Sequence, residues 1–517
     1  MKNFYNKTYF KMILLITGLV LAFAAAWQYA VAEKGGVTGS YIAEHGTWYM
    51  AYTVLVVLLA SAACITGYIG IFRSDSSKKR IGLFLTTMLL LGGLTSVTMV
   101  PLCVPDEPTH YNNSLYVSNT ILSKFGQDGI TTEEDVAVKP FGKEDYIYEF
   151  WHDEVAADEY LEIKGTEKTE QMPLYPYFLP GFVLTLLRPF FSHEIYITVT
   201  RIVNLMLFAL ISILCMKLCP RLKYQILAVS LLPAVIWITC SFSYDCLNLA
   251  LANLFLCYCI YCHDKESVSI WNLLALVVII ALMAPTKYIY AVMVLFALII
   301  PKDKIQIKHK RIITIAGLVV ISAVAVMVVS TRVSEVMYLL QGGMDNRAGG
   351  DATQGYTLGY VIRNPIEMIL VYFKTVIEYS EEYILKSVCG DNFSEYVPPI
   401  LKVILLVMFL VIMSCAGSDG LTRKDRIVTW GTYIIMVLMI FTSFLFLFSY
   451  IPGTDEVGTI GGVQGRYFMP MMLMLPFMLA HGKNNVTETT KRVLIFALLY
   501  LNLIITFFKY TGTLLDA

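Results

Sequence analysis

The sequence predicts an all-α polytopic membrane protein with about 13 transmembrane helices and one further re-entrant or interfacial helix. Of its 517 residues, 57% are hydrophobic and only 15% are charged, and the mean hydropathy is +0.64. A soluble chain of this length would form roughly three domains of about 150 residues, each with a charged surface that this composition cannot supply. Lys plus Arg equals Asp plus Glu at 39 each, so no basic field indicates a nucleic-acid partner.

Apolar stretches that can cross a bilayer recur along the whole chain. A helix of about 18 to 20 apolar residues spans the hydrocarbon layer and satisfies its own backbone hydrogen bonds there. The predicted spans lie near residues 12–32, 50–72, 80–101, 195–216, 222–240, 244–262, 269–284, 288–301, 311–331, 399–416, 428–450, 466–481 and 492–509. These runs are continuously apolar, whereas the strands of a membrane barrel would alternate.

Basic residues in the short loops predict how the chain is oriented. Lysines and arginines cluster within residues 2–11, 73–80, 302–311 and 423–426, and counting the crossings puts all four clusters on one side. By the positive-inside rule that side is the cytoplasm, so the N-terminus is predicted to be cytoplasmic. Two long regions then face outward, and loops of such length are candidates for function.

The predicted organisation has six segments. They are an N-terminal helical hairpin (1–75), a span leading to an acidic motif (76–101), a first external region (102–194), central transmembrane helices (195–331), a second external region (332–398) and C-terminal transmembrane helices with a phosphate-binding motif (399–517). The first external region ends in Pro173–Phe191, which is apolar but rich in proline. These prolines and the positive-inside rule favour a re-entrant or interfacial helix there; a true span that defies the rule is the alternative.

The most distinctive motif is Val104–His110 (VPDEPTH), at the predicted outer end of the third span. Its two prolines hold the backbone out of regular helix around two adjacent carboxylates, Asp106 and Glu107. One carboxylate could take a proton from an attacking hydroxyl while the other orients that hydroxyl or binds a metal. His110 follows within reach of the same pocket. The alternative is a proline-rich loop whose acids are solvated.

A second motif, Gly461–Pro470 (GGVQGRYFMP), marks the predicted return of the last external loop into the membrane. Its glycines allow close backbone approach to a ligand, and exposed backbone N–H groups suit an anion. Arg466 can bind phosphate in a bidentate manner, while Gln464 and Tyr467 add neutral donors. The alternative is an interfacial anchor at a helix start.

Three further residues are weaker candidates for the same pocket. Asp245 lies at the predicted outer start of a span, where it could also serve as a helix N-cap. Lys287 interrupts an apolar stretch and would contribute a cation to phosphate binding, although a tight turn would also keep it solvated. Arg201 is an intramembrane cation that could pair with an acid of the bundle.

Four motifs of this chain resemble the DUF2142 family of bacterial membrane proteins. They are VPDEPTH after an early span, PLYPYF after the first external region, SFSYD at the start of a middle span and GGVQGRYFMP near the end. That family is similar to the GT-C superfamily of polyprenyl-phosphate-dependent glycosyltransferases, which carry an acidic motif in their first large external loop. Here two spans precede the one before Asp106, which indicates an added N-terminal hairpin.

The resemblance implies a membrane glycosyltransferase at the outer face of the bacterial plasma membrane. Asp106 would be the catalytic acid or base and Glu107 its neighbour, and the two would bind Mg²⁺ or Mn²⁺ if a divalent ion is used. The partners would be a polyprenyl-phosphate-linked sugar and a glycan or glycolipid acceptor. A phosphate role for Arg466 is inferred from its chemistry alone. A single displacement would invert the anomeric configuration.

Two other classes of protein compete with this interpretation. A glycolipid transporter or flippase would place its charges near mid-membrane around broken helices, often with internal symmetry. A non-catalytic scaffold of a cell-surface polysaccharide assembly machine would not need the acidic motif. The enzyme hypothesis requires Asp106 and Arg466, far apart in the chain, to meet in one crevice.

Overall fold

A computed structural model gives the arrangement of most of the chain. It describes residues 2–33, 45–74, 76–99, 102–126, 137–138, 151, 161–163, 165–169, 172–305, 355–391, 395–416, 422–449, 451, 457–479 and 486–516. The predicted span 311–331 lies outside these residues. The regular secondary structure of the described residues is helical, apart from one antiparallel pair of two-residue strands, β1 (Ala137–Val138) and β2 (Leu161–Glu162), and an isolated bridge between Val268 and Ile305.

Sixteen α-helices are present in the described residues. They are α1 (Lys2–Glu33), α2 (Gly46–Phe72), α3 (Ser77–Thr98), α4 (Glu107–Lys124), α5 (Phe178–Leu187), α6 (His193–Leu218), α7 (Lys223–Ser230), α8 (Pro233–Thr239), α9 (Asp245–Asp264), α10 (Ile270–Met283), α11 (Leu358–Arg363), α12 (Pro365–Cys389), α13 (Pro399–Ser414), α14 (Arg423–Phe448), α15 (Leu475–Leu479) and α16 (Glu488–Asp516). The 3-10 helices are Tyr175–Tyr177, Pro220–Leu222, Tyr288–Ile299, Lys302–Lys304 and Gly465–Met474.

Seven of the described helices are long and apolar enough to cross a membrane, and the number is eight if one bent pair counts as a single span. The seven are α1, α2, α3, α6, α9, α14 and α16. The all-helical membrane class predicted from composition is therefore confirmed. The predicted number of about 13 spans is not confirmed, because several predicted spans are short or broken in the described residues and the predicted span 311–331 lies outside them.

Two predicted spans are interrupted at proline. Residues 222–240 form α7 and α8, which meet at a bend of 77°, because Pro233 lacks a backbone N–H and its ring would collide with the preceding turn. In the predicted span 466–481, the described residues up to 479 form the late 3-10 helix (Gly465–Met474), which contains Pro470, and then α15. Apolar composition predicted both stretches, but the breaks depend on proline.

The predicted second external region contains a long helix, α12, which is not among the predicted spans. This helix has 25 residues, and its glutamates and lysines lower the hydropathy that marks a span. Its apolar residues instead recur at helical spacing, with Ile366, Ile369 and Phe373 all more than 60% exposed. Helical periodicity, rather than mean hydropathy, is the signal that indicates this helix.

The ambiguous stretch Pro173–Phe191 forms a short helix. Its helical part, Tyr175–Leu187, is about 20 Å long at 1.5 Å per residue, which is too short to cross a hydrocarbon layer of about 30 Å. It packs against α4 and α6, and Gly181 allows the approach because a Cβ there would lie 2.9 Å from the Ser114 carbonyl oxygen. This length favours the re-entrant or interfacial interpretation.

The first two helices pack against the last one. The Tyr500 hydroxyl of α16 donates to the Leu15 carbonyl of α1 at 3.1 Å, and the Thr53 and Tyr510 hydroxyls of α2 and α16 lie 3.1 Å apart. The helix pair α2 and α3 is also closely packed. The N-terminal hairpin thus packs against α16, the last helix of the chain, and also against α3, the next helix after the hairpin.

Candidate active site

Asp106 occupies an unusual backbone position just before α4. It is the N-cap residue of that helix, with φ 65° and ψ 6°, in the left-handed region that few non-glycine residues adopt. Leu102 and Asp106 are the non-glycine residues with positive φ in the described part of the chain. Such backbone strain is often stored at functional sites. The Asp106 carboxylate makes no capping hydrogen bond, and its side chain is 61% exposed.

Glu107 points the opposite way from its neighbour, into the protein. It is fully buried, and its carboxylate accepts hydrogen bonds from the backbone N–H groups of Val104 (3.2 Å) and Phe242 (3.0 Å). Arg201 Nε lies 3.3 Å from Glu107 Oε1 and also donates to the Cys240 carbonyl at 3.0 Å. Glu107 was predicted to act beside Asp106, but in this structure both of its carboxylate oxygens are already bound inside the protein.

Arg201 is the predicted intramembrane cation, and its pairing with an acid of the bundle is confirmed by this contact. The residue is only 1% exposed, so it cannot contact a substrate from this position. Glu107 and Arg201 instead fix the start of α4 to α6 and to the loop after α8. They position the site rather than belong to its reactive surface.

Arg466 reaches the acidic motif across most of the chain. Its Nη2 donates to Asp106 Oδ2 at 2.8 Å, and its Nη1 donates to the Pro105 carbonyl at 2.8 Å. Its side chain is 4% exposed. The sequence-based expectation that Asp106 and Arg466 meet is confirmed. The guanidinium is covered, whereas the Asp106 carboxylate that it binds is exposed. Of the two groups, the carboxylate is therefore the one that a substrate can reach first.

Asp245 and Lys287 extend this pair into a cluster of two acids and two bases. Asp245 Oδ2 lies 3.8 Å from Arg466 Nε, and Asp245 Oδ1 accepts from Lys287 Nζ at 2.5 Å. Lys287 also lies over the ring of Tyr467, 4.5 Å from its centroid, and Tyr467 receives a hydrogen bond of 3.3 Å from Arg466. The order of charges therefore alternates in sign, from Asp106 through Arg466 and Asp245 to Lys287.

His110 lies close to the charges of this cluster. Its Nδ1 is 2.8 Å from the Tyr177 hydroxyl, and its ring meets the Tyr244 ring edge-on with centroids 4.7 Å apart. Tyr177 and Tyr244 were not among the predicted site residues. Both fall in motifs that the family resemblance had already marked, PLYPYF and SFSYD, so the motifs carried a signal that residue chemistry alone did not.

The glycine before Arg466 sets where the guanidinium lies. A Cβ at Gly465 would come within 2.5 Å of the Ser387 backbone nitrogen in α12, so the late 3-10 helix can touch α12 only with glycine there. Gln464 precedes it, and its Oε1 is a buried oxygen without a hydrogen-bond partner among the described residues. A buried polar atom of this kind is available to a ligand hydroxyl.

The predicted Mg²⁺ or Mn²⁺ site does not fit the residues present. Both Glu107 oxygens are engaged by backbone N–H groups, and Asp106 is already neutralised by Arg466. Hard divalent cations need several oxygen ligands around one point. Within the described ranges, no group of three or more His, Cys, Asp or Glu residues is arranged to hold a metal.

Arg466 controls the protonation of Asp106. Partial burial would by itself raise the pKa of this carboxyl, but the charge and hydrogen bond of Arg466 outweigh burial and hold the pKa below its ordinary value. Asp106 is therefore ionised at neutral pH while the pair is intact. Moving Arg466 away would raise the pKa and make the carboxylate a stronger base.

His110 predicts a pH dependence of stability. Burial lowers its pKa to about 4, with smaller effects from neighbouring charges; Asp245 and Asp106 raise it, while Arg466 and Lys287 lower it. The unfolded chain takes up this proton near pH 6.5, so stability should fall as the pH drops from about 6.5 to 4. The temperature of thermal unfolding in detergent should fall over this pH range in the wild type, and it should fall less in His110→Phe. An equal fall of the unfolding temperature in both proteins would contradict the role of His110 in this pH dependence.

The fold and site together define a helical membrane protein with a charged cluster at one end of its bundle. The family model described as "Predicted membrane protein (DUF2142)" matches residues 89–475, which is more than half of the chain. The protein therefore belongs to the DUF2142 family. Comparison with curated proteins found no match, and comparison with solved structures found none either.

Proposed function

We propose that this protein is a membrane glycosyltransferase that moves a sugar from a polyprenyl-phosphate donor to a glycan or glycolipid acceptor at the outer face of a bacterial plasma membrane. The observation that carries the proposal is the contact between the exposed Asp106 carboxylate and the covered Arg466 guanidinium. One group is suited to accept a proton and the other to bind phosphate. The resemblance of the acidic motif to that of GT-C enzymes supports the same chemistry.

The proposed reaction uses the pair by exchanging its partners. When the donor binds, its phosphate replaces the Asp106 carboxylate on Arg466, since both are anions that match a guanidinium. The released carboxylate regains a higher pKa and takes the proton of the acceptor hydroxyl. The acceptor oxygen then forms a bond to the anomeric carbon while the carbon–oxygen bond to phosphate breaks. Its electron pair leaves with the phosphate, and Arg466 stabilises that charge.

An apolar pocket supports a lipid-linked donor. It has a volume of about 380 Å³ and is formed by α12, α13, α14 and the late 3-10 helix. Phe468 and Met471, which line it, follow Arg466 on that 3-10 helix. Arg466 is not among the lining residues; in the proposed complex, the first part of the polyprenyl chain extends from a phosphate on Arg466 to this apolar space. Lipid-like ligands need this combination of charge and apolar wall.

The test is a transfer assay with the purified full-length protein in phosphatidylcholine nanodiscs. Synthetic short-chain polyprenyl-phosphate sugars with a radiolabelled sugar serve as donors, and extracted envelope glycolipid serves as acceptor. We expect the label to enter the acceptor fraction with inverted anomeric configuration, because a single displacement inverts the carbon. Retained configuration would overturn the single-displacement mechanism. Absence of transfer with every donor tested would overturn the proposed glycosyltransferase activity.

A transporter is the second candidate, favoured by one observation. That observation is the broken helix pair α7 and α8, which is bent by 77°. Transporters often place substrate sites at such discontinuous helices. Movement of a fluorescent polyprenyl-phosphate sugar between leaflets of liposomes, without transfer to acceptor, would support this function instead.

A further inference from the structure

A second pocket lies at the other end of α3. It has a volume of about 290 Å³ and is lined by α2, α3, the end of α6, α7 and α16. The 22 residues of α3 extend for roughly 33 Å, from Arg80 at this pocket to the loop that bears Asp106. The two sites are therefore at opposite ends of the bundle, and neither shares a residue with the other.

The wall of this pocket is apolar and its rim is basic. Ile81, Phe84 and Leu227 are among the apolar lining residues. The charged lining residues are Arg80, Lys217, Lys223 and Arg492. No carboxylate is among the lining residues, all of which lie in the described part of the chain. Four cations from four separate segments thus converge on one apolar space.

Among the described residues, the acid Glu488 lies near the rim and does not cancel this charge. Glu488 Oε2 is 3.6 Å from Lys223 Nζ, and the same carboxylate accepts a hydrogen bond from the Tyr224 hydroxyl. The Glu488 side chain is 58% exposed, so the pair is weak in water. The lining cations outnumber this carboxylate, and an anion is the complementary ligand.

We propose that this pocket binds an anionic phospholipid of the bilayer, with its phosphate at the basic rim and part of an acyl chain against the apolar wall. A soluble phosphate would leave the apolar volume unfilled, whereas a neutral lipid would not match the excess of positive charge at the rim. Basic pockets between transmembrane helices are recognised sites for anionic headgroups on the cytoplasmic side. The basic loops predict that this end of the bundle is cytoplasmic.

The elements that build the pocket give the N-terminal hairpin a role. Both α2 and α16 lie outside residues 89–475, and they meet α6 and α7 at this space. Close packing between α2 and α16 is required there, because a Cβ at Gly67 would lie 2.3 Å from Leu499 Cδ2. A bound lipid would fill the gap that remains between the hairpin and the rest of the bundle. This proposal does not depend on the glycosyltransferase activity.

The test measures lipid binding to the purified full-length protein by native mass spectrometry, with phosphatidylglycerol and phosphatidylcholine as probes. The variant Arg80→Gln/Lys217→Gln/Arg492→Gln removes three rim charges. We expect it to weaken phosphatidylglycerol binding by about 100-fold, given the usual attraction of basic residues to anionic lipid. The matched control is Lys78→Gln/Lys79→Gln/Lys265→Gln, whose lysines do not line the pocket.

The other outcomes separate the alternatives. An equal loss in the control variant would mean that only general surface charge attracts the lipid, and equal binding of phosphatidylcholine would mean that the rim has no role; either result overturns the proposal. Competition by soluble glycerol phosphate would identify a free-anion site and also overturn it. Unchanged thermal unfolding of both variants in phosphatidylcholine verifies that they are folded.

Discussion

Replacing Asp106 with asparagine is expected to lower the rate of sugar transfer by about 10²- to 10⁴-fold, the usual contribution of a general base. Asparagine has nearly the same shape as aspartate but cannot take the proton of the acceptor hydroxyl. Arg466 keeps its hydrogen bond to the Pro105 carbonyl and its contact with Asp245, so the phosphate site remains in place. The measurement is kcat and KM in the nanodisc transfer assay.

The separate changes of kcat and KM in Asp106→Asn test whether the donor phosphate replaces Asp106 on Arg466. Because the variant no longer holds Arg466 in an ion pair, the donor phosphate should bind at least as tightly, so KM should not rise while kcat falls. Asp303→Asn is the matched control, since Asp303 is exposed in the 3-10 helix Lys302–Lys304 and should keep full activity. Full turnover by Asp106→Asn would remove the base from the mechanism.

Replacing Glu107 with alanine is expected to lower the free energy of unfolding by about 3–5 kcal/mol, the typical result of removing one partner from a buried ion pair. The change leaves the Arg201 guanidinium buried opposite a cavity and leaves the backbone N–H groups of Val104 and Phe242 without their acceptor. Both effects act in the same direction. The measurement is reversible unfolding in mixed detergent micelles.

Two further variants show whether the loss comes from the buried charge. Glu378→Ala breaks an exposed ion pair in which the Glu378 side chain is 43% exposed and the Lys374 side chain 37%. It should lower the free energy of unfolding by less than about 1 kcal/mol. Removing both buried charges, in Glu107→Gln/Arg201→Met, should recover much of the loss. If Glu107→Ala were no more harmful than Glu378→Ala, the buried pair would not support the fold.

The adjacent carboxylates show what a sequence can and cannot predict about a site. The motif VPDEPTH indicated two acids at one place, and the structure does bring Asp106 to Arg466. The roles of the two acids diverge because Asp106 has a left-handed backbone, which turns its side chain outward while Glu107 faces inward. Backbone angles at one residue depend on tertiary packing, so no reading of composition or spacing could separate the two acids.

The helices show a similar division. Long apolar runs such as those of α2, α6 and α14 were predicted close to their observed bounds because burial in lipid requires continuous hydrophobicity. The helix α12 was missed because its glutamates and lysines lower its mean hydropathy, although apolar residues recur along one face. The bend between α7 and α8 was missed because a single proline decides it. The errors in the predicted helices therefore occur where a few charged residues or a single proline depart from the rule that spans are continuously apolar.

The long chain separation between Asp106 and Arg466, 360 residues, has a consequence for how the protein is made. Synthesis proceeds from the N-terminus, and segments fold as they become available. Glu107 can meet Arg201 early, whereas Asp106 must wait for its counter-charge until translation is nearly complete. The scaffold of the site can thus be in place before its charged cluster, and a truncated product would lack the guanidinium on which the cluster depends.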